Sequence, residues 1–125
     1  MSLPELTAAE EGLMKHLWKL RRAYMKELLD ELPEPRPAKT TVATLLRRMI
    51  DKDLVGYENH GNSRQYFPKV TKEAYFGRRI RGMVNQFFGG SPLEFASLLT
   101  GQAELSQEEL EELQRMIKDQ IDRKQ

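Results

Sequence analysis

Residues 40–50 read TTVATLLRRMI, and this stretch separates into two faces when it is wound as an α-helix. One face is apolar at the spacing i, i+3, i+4, i+7 and i+8, which indicates a helix that packs on a core. Its members are Val42, Leu45, Leu46, Met49 and Ile50. The opposite side is polar and basic, and it comprises Thr40, Thr41, Thr44, Arg47 and Arg48. Hydroxyls and guanidinium groups suit the major groove of DNA, whereas an ordinary solvated polar face is the alternative.

The composition indicates a water-soluble, largely helical protein. The 125 residues suffice for one ordinary domain, or for one small domain with an oligomerisation element. No apolar run reaches the length of about 18 residues that a membrane-spanning helix needs, so no membrane insertion is expected. The first residues lack the pattern of a secretory signal. Cysteine is absent, which excludes disulfides and cysteine-ligated zinc and fits a cytoplasmic protein.

The net charge of +1 hides an uneven distribution of charge along the chain. Between residues 36 and 69 there are seven basic and three acidic side chains, which leaves a local charge of +4. Later, five glutamates crowd into residues 104–112. We therefore expect any contact with a polyanion to be confined to the middle of the chain.

Three helices are predicted before residue 54. The segment Thr7–Glu10 is a capping box that starts the first helix, which ends near Leu20. Trp18 is expected in the core between this helix and the third. Apolar residues between Met25 and Leu32 predict a second, shorter helix, which the prolines of the following PEPRP sequence terminate. The helix that contains residues 40–50 comes third and ends by Asp53.

A β-hairpin is predicted after the third helix. Residues 54–58 and 64–68 carry β-branched and aromatic side chains with partial alternation, which is typical of strands. The polar run NHGNS at residues 59–63, with Gly61 at its centre, is the predicted loop.

Three more helices are predicted in the last third of the chain. The first begins at Thr71 and carries an apolar stripe up to Gly89. Ser91 caps a short helix that runs roughly through Leu99 and ends at Gly101. A second capping box, SQEE at residues 106–109, starts the last helix, whose apolar residues repeat at near-heptad spacing.

The predicted fold is mainly α with a small β-hairpin wing. Residues 1–70 match a winged helix-turn-helix DNA-binding domain, and residues 71–125 match a helical dimerisation domain. The second segment is too short to bury its apolar stripes by itself, so a second copy of the chain is the expected partner. The predicted dimerisation residues are Ile80, Val84, Phe87, Leu110, Leu113, Ile117 and Ile121.

The order and spacing of several short motifs resemble the penicillinase-repressor family. This family includes the β-lactamase and methicillin-resistance repressors and copper-responsive relatives. The matching segments cover nearly the whole chain. They are Leu6–Glu10 with Met14 and Leu17-Trp18, Thr40–Val42, Thr44–Leu46 with Arg48, Lys52 with Leu54-Val55, Tyr66 with Pro68, Gly89–Ser91, and Leu105–Leu113.

The resemblance implies a homodimeric transcriptional repressor that binds palindromic, double-stranded operator DNA. It implies operator contacts at Thr40, Thr41, Thr44 and Arg48, and the face of the third helix adds Arg47 to this set. A membrane sensor-protease is a candidate regulator, although the Asn-Phe cleavage site of the β-lactamase repressors is missing and Leu98-Leu99 occupies the matching place. Copper sensing through the cysteine cluster of other relatives is excluded, because this chain has no cysteine.

The remaining candidates for DNA contact lie at the ends of the third helix and in the wing. Lys39 and Arg64 are expected to contact phosphates, and Asn62 belongs to the polar wing loop. His60 at the wing tip is either a DNA contact or a spacer. No catalytic residues, metal site or cofactor are expected, because the acidic residues occur on surface faces and caps. A winged-helix module that binds a protein instead of DNA is the alternative function.

Overall fold

The computed structural model describes residues 4–125. Its elements follow the order α1 (Ala8–Leu20), β1 (Ala23–Tyr24), α2 (Met25–Glu31), α3 (Lys39–Asp51), β2 (Val55–His60), β3 (Ser63–Pro68), α4 (Lys72–Phe87), α5 (Pro92–Gln102) and α6 (Gln107–Arg123). The predicted fold class is therefore confirmed: a mainly helical chain with a small antiparallel sheet.

The chain forms two compact units, Met1–Arg79 and Ile80–Gln125. Their boundary falls inside α4, so the first two turns of this helix belong to the first unit. The domain boundary that the sequence suggests, between residues 70 and 71, stays a prediction.

The core of the first unit contains the apolar face of α3. Val42, Leu46 and Met49 are buried, while Leu45 and Ile50 are half-buried against the same cluster. Leu13, Met14 and Leu17 of α1 complete this packing from the opposite side. The period-3.6 stripe in the sequence thus identified the buried face correctly.

A partly buried ion pair joins the end of α3 to the start of α1. Glu10 completes the capping box by accepting from the Thr7 backbone N–H at 2.8 Å, and its side chain is fully buried. Lys52, the C-cap of α3, donates to Glu10 Oε1 at 2.7 Å and to the Glu5 carbonyl at 3.0 Å. Burial alone would raise the pKa of Glu10, but the hydrogen bonds from Lys52 and Thr7 outweigh it and hold this pKa below its usual range.

The sheet has one strand more than the sequence analysis predicted. The two-residue strand β1 pairs with β3, which gives the antiparallel order β1-β3-β2. In this register Ala23 lies opposite Tyr66. A strand of two residues is too short to produce an alternation pattern, so the sequence carries no periodic signal for it.

The wing turn is tighter than predicted. Strand β2 continues to His60 and β3 begins at Ser63, so the loop is only Gly61-Asn62 rather than the five residues 59–63. Gly61 has φ 64°, a left-handed conformation that two-residue hairpin turns require and that glycine adopts without strain.

The first turns of α4 pack on α1. Tyr75 is buried; its hydroxyl accepts from the Leu6 N–H at 2.8 Å and donates to Glu11 at 3.0 Å. Trp18 donates to the Val70 carbonyl at 2.8 Å, and its ring lies against Tyr75 and Phe76. The prediction that Trp18 lies between α1 and α3 is therefore wrong, because the aromatic residues of α4 provide its partners.

The second unit contains the rest of α4 together with α5 and α6. Ser91 caps α5 by accepting from the Glu94 N–H at 3.2 Å, and Ser106 and Glu109 form the predicted capping box of α6. The helix α5 does not end at Gly101, as predicted, but continues to Gln102 with Ala103 as its C-cap.

Candidate nucleic-acid interface

The polar face of α3 lies at the surface of the first unit. All six predicted contact residues of this helix are exposed, namely Lys39, Thr40, Thr41, Thr44, Arg47 and Arg48. The hydroxyl of Thr44 donates to the Thr40 carbonyl one turn earlier at 3.0 Å. The apolar face holds the helix against the core, so the helix presents its hydroxyls and guanidinium groups outward.

The N-terminus of α3 has no capping side chain, unlike those of α1, α5 and α6. Ala38 is its N-cap and offers no side-chain acceptor, and the first turn contains no acidic residue. By contrast, the hydroxyls of Thr7, Ser91 and Ser106 cap α1, α5 and α6. The first N–H groups of α3 are thus not occupied by a capping side chain, and such groups are suited to an oxygen of a phosphate.

The seven basic residues of the middle segment fall into two groups in the structure. Three of them form ion pairs: Lys52 with Glu10, Lys69 with Asp53, and Arg36 with Asp30 and Glu34. For the other four, no carboxylate of residues 4–125 lies within 4.0 Å; they are Lys39, Arg47, Arg48 and Arg64. Within residues 36–69, the cations without a carboxylate partner are therefore the four that the sequence analysis assigned to DNA contact.

The two faces of the wing have different electrostatic character. On one face the guanidinium of Arg64 lies over the ring of Tyr57, 4.3 Å from its centroid, and Asn59 is the cross-strand partner of Arg64. On the other face Glu58 lies 3.3 Å from Arg22 and 3.5 Å from His60. The carboxylate therefore neutralises the second face, whereas the positive charge of Arg64 is not compensated on the first.

The predicted wing residues His60, Asn62 and Arg64 are all exposed, but each has different neighbours. Asn62 is in the turn, and Arg64 is on the first face. His60 lies next to Glu58, with its ring edge-on to Tyr24 at 6.2 Å. These contacts give His60 a role within the hairpin, which favours the spacer interpretation; its contact with DNA stays a prediction.

Sequence reasoning missed two residues of the first wing face, Tyr57 and Asn59. A signal was available, since residues two apart on a strand share a face, and Tyr57 and Asn59 alternate with Glu58. The register was the missing element, because it depends on the turn length, and the turn is shorter than predicted.

The predicted dimerisation residues lie in the second unit and most are exposed in the single chain. Ile80, Phe87, Leu110, Ile117 and Ile121 are exposed, with Phe87 at 71%. Leu113 is half-buried, and Val84 is already buried without a partner chain. Leu110, Leu113 and Ile117 line an open groove between α5 and α6, together with Leu99.

The helical core, the exposed basic face of α3 and the two-stranded wing define a winged-helix DNA-binding regulator. A family model described as Penicillinase repressor matches residues 6–119. The chain belongs to this family, which consists of regulatory DNA-binding proteins rather than enzymes. The resemblance that the sequence motifs indicated is thereby confirmed.

Individual relatives agree with the family match. The penicillinase repressor of Bacillus licheniformis is 25% identical over 123 residues, which cover 98% of this chain and 96% of that protein. The methicillin resistance regulatory protein MecI of Staphylococcus aureus strain N315 is 21% identical over 114 residues, covering 90% and 93%. The solution structure of the DNA binding domain of the repressor BlaI superposes with a TM-score of 0.52 at 27% identity, covering 60% of this chain and 94% of that one.

None of the helices in residues 4–125 is long and apolar enough to cross a membrane.

Proposed function

We propose that this chain is a homodimeric transcriptional repressor that binds palindromic operator DNA in the cytoplasm. In this proposal α3 enters the major groove of each half-site, and the wing contacts the adjacent backbone. The observation that carries it is that the cations of residues 36–69 that lack a carboxylate partner all lie on α3 and the wing, in a chain of this family. When such cations contact DNA, they displace counterions from the phosphates, and the release of these counterions favours binding.

The roles of the contact residues follow from their positions. Thr44 and Arg48 lie one helical turn apart on the exposed side of α3, where a guanidinium can donate two hydrogen bonds to a guanine. Arg47 and Lys39 are assigned to phosphates. The open N–H groups at the start of α3 add a further phosphate contact without any side chain.

The test is a DNA-binding titration at several salt concentrations, using a duplex selected from a random-sequence library. The logarithm of the affinity should fall linearly with the logarithm of the salt concentration, with a slope near −0.9 for each neutralised phosphate. Arg48→Ala should weaken binding. Lys69→Ala also removes one positive charge, but that charge is paired with Asp53, so this variant should bind like the unchanged chain. Affinity that does not change with salt would instead favour the protein-binding module.

We further propose that a second copy of the chain covers the apolar side chains of the second unit. Ile80, Phe87 and Ile117 are large apolar side chains that are exposed in the single chain. Exposed apolar side chains that form a patch usually mark a protein–protein interface. A two-fold arrangement would let the same patch contact itself. An obligate interface of this kind commonly buries more than about 2,000 Å² in total. Sedimentation should then give a dimer at micromolar concentration.

A membrane sensor-protease stays our candidate regulator. The Leu98-Leu99 bond, which the resemblance matches to the cleavage site of the β-lactamase repressors, is within α5, and both side chains are about half exposed. Proteolytic nicking favours exposed, unwound backbone. Cleavage at this bond therefore requires α5 to unwind locally. As long as α5 stays helical, the bond is protected and the repressor stays on its operator.

A further inference from the structure

We propose that Tyr57 is a positioning residue for Arg64, and that the Tyr57–Asn59 face of the wing is the face directed at DNA. This inference rests on the proposed function, because it concerns how the wing delivers its cation to a phosphate. It assigns a role to a residue that does not itself need to contact DNA.

The geometry supports a defined stack of the two side chains. The guanidinium carbon of Arg64 is 4.3 Å from the centroid of the Tyr57 ring, within the range of about 6 Å at which the ring attracts a cation. In the β2–β3 register Tyr57 is opposite Tyr66, and Arg64 is opposite Asn59. Tyr57 and Arg64 are thus diagonal neighbours on one face, a separation that long and aromatic side chains can span.

The stack is anchored in the core of the first unit. Tyr66 is buried, and its ring lies 6.2 Å from that of Tyr57. Tyr57 itself is 37% exposed, so it lies between the buried Tyr66 and the exposed Arg64. The three side chains form a continuous row from the core to the surface of the wing. Arg64 is therefore supported by a side chain that itself contacts the core.

A ring holds an arginine in a different way from a carboxylate. Stacking uses the flat face of the guanidinium, while the N–H groups in its plane stay free to donate. A carboxylate instead occupies those N–H groups and cancels the charge. Arg22 provides the comparison within the same sheet: it lies over Phe67 at 4.9 Å but also pairs with Glu58 at 3.3 Å. Only Arg64 combines a fixed position with donors that no carboxylate of the described chain takes.

Fixing Arg64 before binding should raise the affinity for DNA. An arginine side chain loses rotamer freedom when it contacts a phosphate, and a side chain that is already ordered loses less. The contribution of an exposed cation–π contact corresponds to about a two- to fivefold change in affinity for each wing.

The experiment is a double-mutant cycle on the full chain with a duplex of random sequence, since the proposed contact is to phosphate. Tyr57→Leu should weaken binding by about two- to fivefold for each wing, and Tyr57→Phe, which keeps the ring, should bind like the unchanged protein. In an Arg64→Ala background, Tyr57→Leu should have no further effect. Phe67→Leu is the matched control, because it removes the ring under the cation of the opposite face and should leave affinity unchanged.

A second measurement examines the stack without DNA. The ring current of Tyr57 should shift the Arg64 side-chain proton resonances upfield, and this shift should persist in Tyr57→Phe and vanish in Tyr57→Leu. Trp18 fluorescence during thermal unfolding identifies any variant that is simply unfolded.

The outcomes separate the two proposals. Coupling between Tyr57 and Arg64, together with the upfield shift, supports the positioning role. If Tyr57→Leu weakens the Arg64→Ala variant as much as it weakens the unchanged chain, the positioning role is wrong while DNA binding stands. If the unchanged chain binds no duplex at all, the proposed function fails, and the positioning role fails with it.

Discussion

Several lysines of the described chain form ion pairs. Among these lysines, we expect substitution of Lys52, as in Lys52→Met, to destabilise the protein most. The reason is the pair that Lys52 forms with Glu10, whose carboxylate is completely buried. Methionine keeps most of the aliphatic stem of lysine but cannot donate. The variant therefore leaves a buried carboxylate with the Thr7 backbone N–H as its remaining partner, and the Glu5 carbonyl also loses a donor.

The expected loss of stability follows from the burial of the pair. Removing one partner of a buried ion pair costs about 3–5 kcal/mol, because the other charge stays buried without compensation. Lys52 is 28% exposed, so the lower limit of about 3 kcal/mol applies. For a unit of this size such a loss lowers the melting temperature by more than about 10 °C. Lys69→Met is the matched control: Lys69 and Asp53 are both exposed, and their pair is worth only about 0–1 kcal/mol.

Trp18 provides the assay, since it is the single tryptophan and it packs on Tyr75 and Phe76 inside the first unit. Its fluorescence should follow the unfolding of this unit in urea. Protein concentration must be equal for all variants, because dimerisation makes apparent stability depend on it. Equal loss of stability in Lys52→Met and Lys69→Met would refute the reasoning.

The pH dependence gives an independent check on the same pair. The pKa of Glu10 is lower in the folded protein than its usual value of 4.5, so the carboxylate contributes stability above that value. This contribution is lost as the pH falls through the lowered folded-state pKa. In Lys52→Met fewer hydrogen bonds oppose the effect of burial on the pKa of Glu10. Protonation of Glu10 then removes the buried charge and so stabilises the variant. The difference in unfolding free energy between the two proteins should therefore narrow as the pH falls towards 4.5 and below it.

Three further predictions concern the interface, the assembly and the α1–α4 contact. Arg48→Ala should cost about 1–3 kcal/mol on a selected operator and relax the preference at one base pair, whereas Arg64→Ala should weaken all sequences alike and reduce the salt slope; equal weakening by Arg48→Ala at every site in a base-substitution scan would contradict its reading role. Leu113→Asp should convert the dimer to monomer or aggregate in sedimentation, and a monomeric unchanged chain would contradict the proposed assembly. Tyr75→Phe leaves the Leu6 N–H without its acceptor, so urea unfolding should show a loss of about 1–3 kcal/mol, and an unchanged midpoint would show that water replaces the hydroxyl.

The features that the sequence predicted correctly are those with a local physical cause. The apolar period of α3 and the capping boxes at Thr7 and Ser106 depend only on residues a few positions apart. The features that it missed depend on distant partners. Strand β1 exists because β3 lies beside it, and Trp18 faces α4 because Tyr75 and Phe76 are brought to α1 across more than fifty residues.

The candidate DNA interface shows the same division between local and distant causes. The sequence identified the basic segment between residues 36 and 69 and the face of α3 that carries Arg47 and Arg48. By charge alone it could not distinguish Lys52 from these arginines, because the partner of Lys52 is Glu10, forty-two positions away. It also could not identify Tyr57 as the neighbour of Arg64, since this contact requires the register that the two-residue turn imposes.

A local excess of positive charge is therefore an incomplete description of how this fold is suited to a polyanion. A paired cation has its field largely cancelled by the neighbouring carboxylate, so Lys52 and Lys69 contribute to folding or local structure rather than to attraction of DNA. Among residues 36–69 the unpaired cations lie on α3 and the wing, where apolar or aromatic contacts hold the backbone and, at Arg64, the side chain itself. Apolar packing can fix a cation without neutralising it, and an ion pair cannot. In our proposal, therefore, the residues that position the candidate interface are Val42, Leu46 and Tyr57, which carry no charge at all.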